Sequence, residues 1–154
     1  MKSLLLALVI ALPSVSALAA SDTAQALQIV EAALAITKQS DLDFGVAAQG
    51  DGPKTVPSGS SEDAENASFL VTGEPDKFYS IALPNDGDVN MVTNGGGSQE
   101  TTIAVTSFES SPAASGQLDG SGQQELFVGA TRDALLPNQQ AGSYADTFTV
   151  TVLY

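Results

Sequence analysis

The sequence predicts an all-β protein: an antiparallel immunoglobulin-like β-sandwich of about seven or eight short strands, preceded by an N-terminal signal peptide. Two observations predict the sandwich. Short apolar runs with period-two alternation recur about every ten residues, and Gly, Pro, Asn and Asp separate them. A third observation, an uncharged apolar run soon after Lys2, predicts the leader.

The apolar run covers residues 4–20 and ends in small residues with an A-x-A cleavage pattern. We place cleavage after Ala19, with cleavage after Ala20 as the alternative. A membrane anchor is less consistent with the run, because Pro13 interrupts it and its length is near the lower limit for spanning a bilayer. We therefore expect residues 1–19 to be removed and the protein to be exported, to the periplasm, the cell surface or the extracellular space, with no membrane span after cleavage.

The predicted strands alternate with turn-rich segments along the rest of the chain. Two segments rich in Gly, Pro and Ser, residues 47–66 and 110–123, are predicted to be loops. The strand-like runs are residues 32–37, 41–46, 67–73, 77–84, 89–93, 101–108, 125–131 and 144–154. Alternation places Ile103 and Val105 on one face of their run, and Leu126, Val128 and Ala130 on one face of theirs.

The last of these runs, YADTFTVTVLY, continues to the final residue. Alternating positions place its apolar side chains on one face and its threonines on the other. The apolar face consists of Phe148, Val150, Val152 and Tyr154.

Residues 21–38 fit two interpretations. Leu27, Val30 and Leu34 have the spacing of one helical face, and the segment is rich in helix-favouring Ala, Leu, Gln and Glu. Alternation over positions 30, 32, 34 and 36 instead favours a strand. Both interpretations stay open.

Composition limits the function classes. Without residues 1–19 the chain has 135 residues, four basic and eighteen acidic, and a formal charge of −14. Nucleic acid and anionic lipid would be repelled by this charge, so we expect neither as a partner. Cysteine is absent, so the fold must be held by core packing, by strand ladders or by association with another chain.

Histidine is also absent, which excludes Ser-His-Asp and Cys-His catalytic sites and ordinary zinc and copper sites. Paired carboxylates need neither residue, but the candidate pairs lie in predicted turns or polar loops, or at the start of the short run 41–46, and there is no Trp to stack on a sugar. We expect no enzymatic activity and no cofactor. The pairs are Asp41 with Asp43, Glu62 with Asp63, and Asp86 with Asp88.

Asp86, Asp88 and Asn90 match the start of an EF-hand loop and are weak candidate calcium ligands. The rest of the pattern is missing, since Met91 occupies the glycine position and Gly97 the glutamate position. We interpret this stretch as a polar connection between strands and expect no metal site.

Several motifs carry a family resemblance. They are DLDFG (41–45), FLVTGEPDKFYSIALP (69–84), TNGGG (93–97), LDG (118–120), LFVGAT (126–131) and AGSYADTFTVTVLY (141–154). In this order they resemble the bacterial exported domain of unknown function 4402 family. The two ends of the chain also resemble, more loosely, spore-coat-U-type proteins and archaic chaperone–usher pilin subunits.

The pilin resemblance implies an immunoglobulin-like sandwich that lacks one strand, with the C-terminal strand beside the gap. A periplasmic chaperone would fill the gap first, and the N-terminal extension of the next subunit would then replace it, delivered through an usher. Residues 20–31 are the candidate donor strand and residues 32–154 the sandwich domain. Leu27 and Ile29 would fill the gap, whereas Gln25 and Glu31 on the same face fit poorly. Phe148, Val150, Val152 and Tyr154 would line the edge of the gap.

We therefore expect a non-catalytic exported structural protein, a fimbria- or pilus-like subunit that self-polymerises by strand donation. One alternative is a self-complete secreted adhesin or a weak calcium- or carbohydrate-binding sandwich module. Another is a coat or matrix protein that acts through its acidity. The sequence leaves open whether the sandwich is closed by its own chain or by another.

Overall fold

The computed structural model describes residues 20–154, so the predicted signal peptide, residues 1–19, lies outside the described part. Residues 20–34 have no regular secondary structure. The segment for which helix and strand were both considered is therefore neither until the first strand begins at Ala35. Isolated short helices are marginal in water, so helix propensity without a packed apolar face does not form one. Residues 31–154 form one compact unit.

The fold is all-β, as predicted. Every ladder is antiparallel, and one 3-10 turn, Gln99–Thr101, precedes the sixth strand. The strands are β1 (Ala35–Ser40), β2 (Lys54–Val56), β3 (Ala67–Thr72), β4 (Phe78–Ala82), β5 (Val89–Val92), β6 (Thr102–Ser111), β7 (Ser115–Gln117), β8 (Gln123–Arg132) and β9 (Thr151–Leu153).

Two sheets form a sandwich-like arrangement. In the larger sheet the strand order is β1-β3-β8-β6-β5, and β2 pairs with the end of β8 beyond the reach of β3. The smaller sheet has the order β7-β4-β9. Because its three strands have only three, five and three residues, the smaller sheet has far less area than the larger one.

The core lies on the predicted inner face of β8. Leu126, Val128 and Ala130 are completely buried there. Leu126 and Val128 belong to one apolar cluster, with Phe69, Val71 and Tyr79. Ala130 belongs to a second cluster, together with Phe44, Val56, Val89 and Val105. Alternation therefore predicted the inward side chains of the central strand correctly.

Three details differ from the sequence prediction. Residues 41–46 form a loop rather than a strand, although Phe44 reaches the second cluster from it. The predicted loops at 47–66 and 110–123 contain β2 and β7, each too short to produce an alternation signal. The C-terminal run is a strand only over Thr151–Leu153. Among its earlier residues, Ala145 forms a single bridge to Val92 of β5, and residues 146–150 join no ladder in the described chain.

Candidate functional site

The C-terminal segment, residues 144–154, borders the part of the sandwich that the small sheet does not cover. Ala145 forms an isolated antiparallel bridge with Val92, with N···O distances of 3.1 and 3.2 Å. Residues 146–150 join no ladder in the described chain. β9 then pairs with β4, placing Val152 opposite Ile81. Within residues 20–154, β9 has a strand partner on one flank, and its other flank is a sheet edge.

The four predicted edge residues have three different environments. Val150 is buried in the first cluster, and Val152 packs against its margin. Phe148 packs against both clusters, with its ring centroid 6.4 Å from that of Phe69 and 5.2 Å from that of Phe108. Tyr154 is half exposed and contacts the start of the compact unit instead. Its hydroxyl accepts a hydrogen bond from the Glu74 N–H at 2.6 Å and is 3.3 Å from the carbonyl oxygen of Ala32.

An open cavity of about 420 Å³ lies beside Phe148. Most of the side chains that line it are apolar and come from the two core clusters, so the cavity reaches the edge of the core, where the buried lining residues keep an exposure of 9% or less. The apolar lining side chains include Phe44, Phe69, Val89, Val105 and Phe108.

A second cavity of about 570 Å³ is more polar and is lined by Arg132 and by the turn that follows β8. Leu42, Phe44, Met91 and Tyr144 line both cavities. The two cavities therefore adjoin, and together we call them the groove: an apolar part at Phe148 and a polar part at Arg132.

Gln139 holds the turn that forms one wall of the polar part. It is almost completely buried, and its Nε2 donates to the carbonyl oxygens of Glu100, at 2.8 Å, and of Gln99 and Thr102, both at 3.3 Å. The Tyr144 hydroxyl is 2.8 Å from the Glu100 carbonyl oxygen and 2.7 Å from that of Gln140. These bonds anchor the turn to the start of β6, so hydrogen bonds within the domain fix the position of this wall of the groove.

Arg132 is the most unusual residue of the groove. It continues the inward series of Leu126, Val128 and Ala130 on β8, and it is only 5% exposed. Its guanidinium donates to the carbonyl oxygens of Asp133 at 2.7 Å and Gly52 at 3.1 Å. The buried Nε has no hydrogen-bond partner in the described chain.

No carboxylate among residues 20–154 forms an ion pair with Arg132. Lys54, its register neighbour on β2, is paired with Glu65 at 2.5 Å. Asp43 lines the same cavity, but its Oδ1 accepts from the Gly45 N–H at 2.7 Å. A buried arginine without a carboxylate partner is costly and therefore points to a ligand.

The predicted donor residues are exposed. Leu27 is 87% and Ile29 is 90% exposed, and neither lies in a strand or helix. Glu31 forms a surface ion pair with Lys77 at 2.7 Å. This hydrogen bond, together with the charge of Glu31, raises the pKa of Lys77.

The weak metal candidates are engaged in local hydrogen bonds. The Asp86 carboxylate accepts from Ser107 N–H, at a bulge in β6 where Ser107 has a φ of 52°. Asp88 accepts from Asn85, and the Asn90 side chain donates to the Gly87 carbonyl oxygen. The three residues thus shape the β4–β5 connection and the adjacent bulge. In residues 20–154, no three acidic side chains are grouped as a metal site.

Two of the remaining candidate carboxylates also serve local structure. Asp41 pairs with Lys38 at 2.5 Å. Asp63 accepts from the N–H groups of Asn66 and Glu65, which lowers its pKa.

Sequence reasoning did not identify Arg132, Gln139 or Tyr144 as groove residues. Alternation along β8 contained a signal for Arg132, because it falls on the inward side of the strand two positions after Ala130. Gln139 lies in an irregular turn, where no periodicity marks buried positions. Tyr144 falls on the same side of the C-terminal run as Phe148, but Asp146 between them interrupts the apolar series.

The comparisons with known proteins identify a family and nothing more specific. A family model described as Domain of unknown function (DUF4402) matches residues 34–154. No curated protein and no solved structure matches the chain. Within the described residues there is no helix of sufficient length and apolarity to cross a membrane.

Proposed function

Because the chain belongs to the DUF4402 family, whose description states no activity, we propose a function from the groove: an exported, non-catalytic structural subunit that assembles by strand donation. The observation that supports the proposal is a groove beside a strand edge that has no partner in the described chain. Core residues line an open groove, the backbone beside it joins no ladder over residues 146–150, and β9 has one uncovered flank in the described chain.

Unpaired strand edges support this proposal. An exposed edge next to apolar surface promotes aggregation unless something covers it. A strand from another chain would supply the missing hydrogen-bond partners and bury the apolar part of the groove. Donation from each copy to the next is heterologous and does not close, so it would build a fibre.

The proposed donor is residues 20–31 of a neighbouring copy. This segment can extend to ~40 Å at most, and its twelve residues match the eleven-residue C-terminal segment. Leu27 and Ile29 project on the same side of an extended strand, and both are exposed. They would enter the apolar part of the groove beside Phe148.

Export and partners belong to the same proposal. The apolar run of residues 4–20 supports secretion to the periplasm, the cell surface or the medium. A periplasmic chaperone that covers the groove until assembly, and an usher that exchanges it for the donor, would keep the open edge from aggregating. The lack of His and Cys, and the local hydrogen bonds of the candidate acidic pairs, support a role without catalysis.

The test is to express the full chain with its own leader and to change Leu27 and Ile29 together to Asn. We expect wild type to form a ladder of species on unheated SDS gels and the double variant to run as a monomer. The matched control is Val30→Asn, because Val30 is similarly apolar and 81% exposed but projects on the opposite side of the extended segment. The control should keep the ladder.

A wild-type protein that stays monomeric at all concentrations, with a cooperative melt and no response to a synthetic 20–31 peptide, contradicts strand donation. That result would favour a self-complete adhesin or binding module. Calcium titration calorimetry on wild type and Asp88→Ala would then test the calcium alternative.

A further inference from the structure

Arg132 carries an inference that deepens the proposed function and rests on it. We propose that Arg132 binds the Glu31 carboxylate of the neighbouring copy, so that an ion pair at the polar part of the groove sets the register of the donor strand.

Arg132 has hydrogen-bond donors that the described chain leaves unused. A guanidinium has five N–H groups, and the described chain provides carbonyl acceptors at two places, Asp133 and Gly52. The buried Nε has no partner in residues 20–154, and none of their carboxylates pairs with this cation. A planar carboxylate is the ligand that guanidinium geometry fits best, with two parallel charge-assisted hydrogen bonds.

Glu31 is the donor residue that would reach Arg132. In an extended segment, Leu27, Ile29 and Glu31 project on one side. Glu31 fits poorly among apolar groove residues, which is why its position in a donor strand needs an explanation. If Arg132 lies where the donor places residue 31, its positive charge explains why an acidic residue occupies the same side of the segment as Leu27 and Ile29. Asp22, by contrast, projects on the opposite side of the segment.

The spacing of residues along β8 is compatible with the spacing along the donor segment. Ala67 lines the apolar part of the groove and lies opposite Val128 on β8. Arg132 is four residues further along the same strand, about 13 Å at ~3.3 Å per residue. Leu27 and Glu31 are also four residues apart, and packed sheets in sandwiches align their strands within about 30°. The apolar part also includes Val105, which lies directly opposite Arg132. It is therefore a donor with Leu27 at the level of Ala67 that would bring Glu31 to Arg132.

Assembly then includes an exchange of partners by Glu31. In this structure Glu31 pairs with Lys77, and both side chains are about half exposed, at 50% and 45%. An exposed pair of this type contributes little to stability, so giving it up opposes assembly weakly. The pair with Arg132 would be shielded from water and therefore less screened by salt.

The test measures binding of labelled 20–31 peptides to the full chain carrying Leu27→Asn and Ile29→Asn, whose own donor is impaired. We expect Glu31→Gln in the peptide to weaken binding at least tenfold and Asp22→Asn to change it less than twofold. Arg132→Gln in the acceptor should weaken the wild-type peptide and abolish the difference between the wild-type and Glu31→Gln peptides, as coupled residues do. Arg132→Lys should retain part of that difference.

Each outcome decides between the claims. Equal binding of the wild-type and Glu31→Gln peptides overturns the Arg132–Glu31 pair and leaves strand donation intact. No binding of any peptide, at any concentration tested, overturns both. A loss with Asp22→Asn as large as that with Glu31→Gln indicates general attraction and also overturns the specific pair. If Arg132→Gln fails to fold, the peptide variants still decide, because they leave the acceptor unchanged.

A substitution at Asp43 tests independently whether the Glu31 carboxylate enters the polar part of the groove. Asp43 lines the polar part of the groove and would repel an incoming carboxylate. Asp43→Asn should therefore tighten the wild-type peptide more than the Glu31→Gln peptide. An equal effect on the two peptides would contradict a Glu31 carboxylate in this part of the groove.

Discussion

Phe148→Ala tests whether packing alone holds the segment before β9. Residues 146–150 join no ladder in the described chain, so their position depends on what the Phe148 ring contacts. That ring meets Phe69 edge-to-face at 6.4 Å and Phe108 at 5.2 Å. Fully buried Phe→Ala changes cost about 3–5 kcal/mol. Because Phe148 is only partly buried, we expect a loss of about 2–3 kcal/mol in the free energy of unfolding.

The measurement is urea denaturation of the full chain in the Leu27→Asn, Ile29→Asn background, so that association does not add to apparent stability. For a chain of this size the loss corresponds to a fall of about 6–10 °C in Tm. Thr149→Ala is the matched control, since Thr149 is exposed on the other side of the segment, and it should change stability by less than about 0.5 kcal/mol. If Phe148→Ala is as mild as Thr149→Ala, aromatic packing does not position the groove edge.

Three further predictions concern stability. A Cβ on Gly129 would lie 2.3 Å from the carbonyl oxygen of Val56, the last residue of β2. Gly129→Ala should therefore lower the free energy of unfolding, measured by urea denaturation, by about 3 kcal/mol. Gly120 has open space around it, so the control Gly120→Ala should be nearly neutral. The hydrogen bond from the Ser121 hydroxyl, followed by backbone N–H groups, lowers the pKa of Asp119 below its usual 3.8. The ionised Asp119 side chain therefore contributes fully to stability above its unfolded pKa, and this contribution is lost as the pH falls through the folded pKa. The free energies of unfolding of wild type and Asp119→Asn should differ above about pH 4 and converge in acid. A difference that stays constant with pH would contradict this. Gln139→Ala should cost about 1–3 kcal/mol and speed amide exchange across residues 136–144; unchanged exchange there would show that Gln139 does not anchor the turn.

Period-two alternation predicted the sandwich because it records which side chains face the core. Leu126, Val128 and Ala130 were assigned correctly for this reason, and so were Ile103 and Val105. Alternation reports the faces of a strand but not whether its edges are paired. The C-terminal run therefore looked like a full-length strand, whereas its pairing with residues 20–154 is confined to Thr151–Leu153 and the bridge at Ala145.

The amino-acid sequence by itself determined the all-β class, the inward face of each long strand and the exclusion of His- and Cys-dependent chemistry. These properties follow from local residue pattern and composition. The tertiary structure decided where the small sheet stops covering the large one, and so which core residues line a groove. It also decided that Arg132 lies there with no carboxylate among residues 20–154 paired to it. Whether a side chain has such a partner depends on residues distant in sequence, which no local pattern encodes.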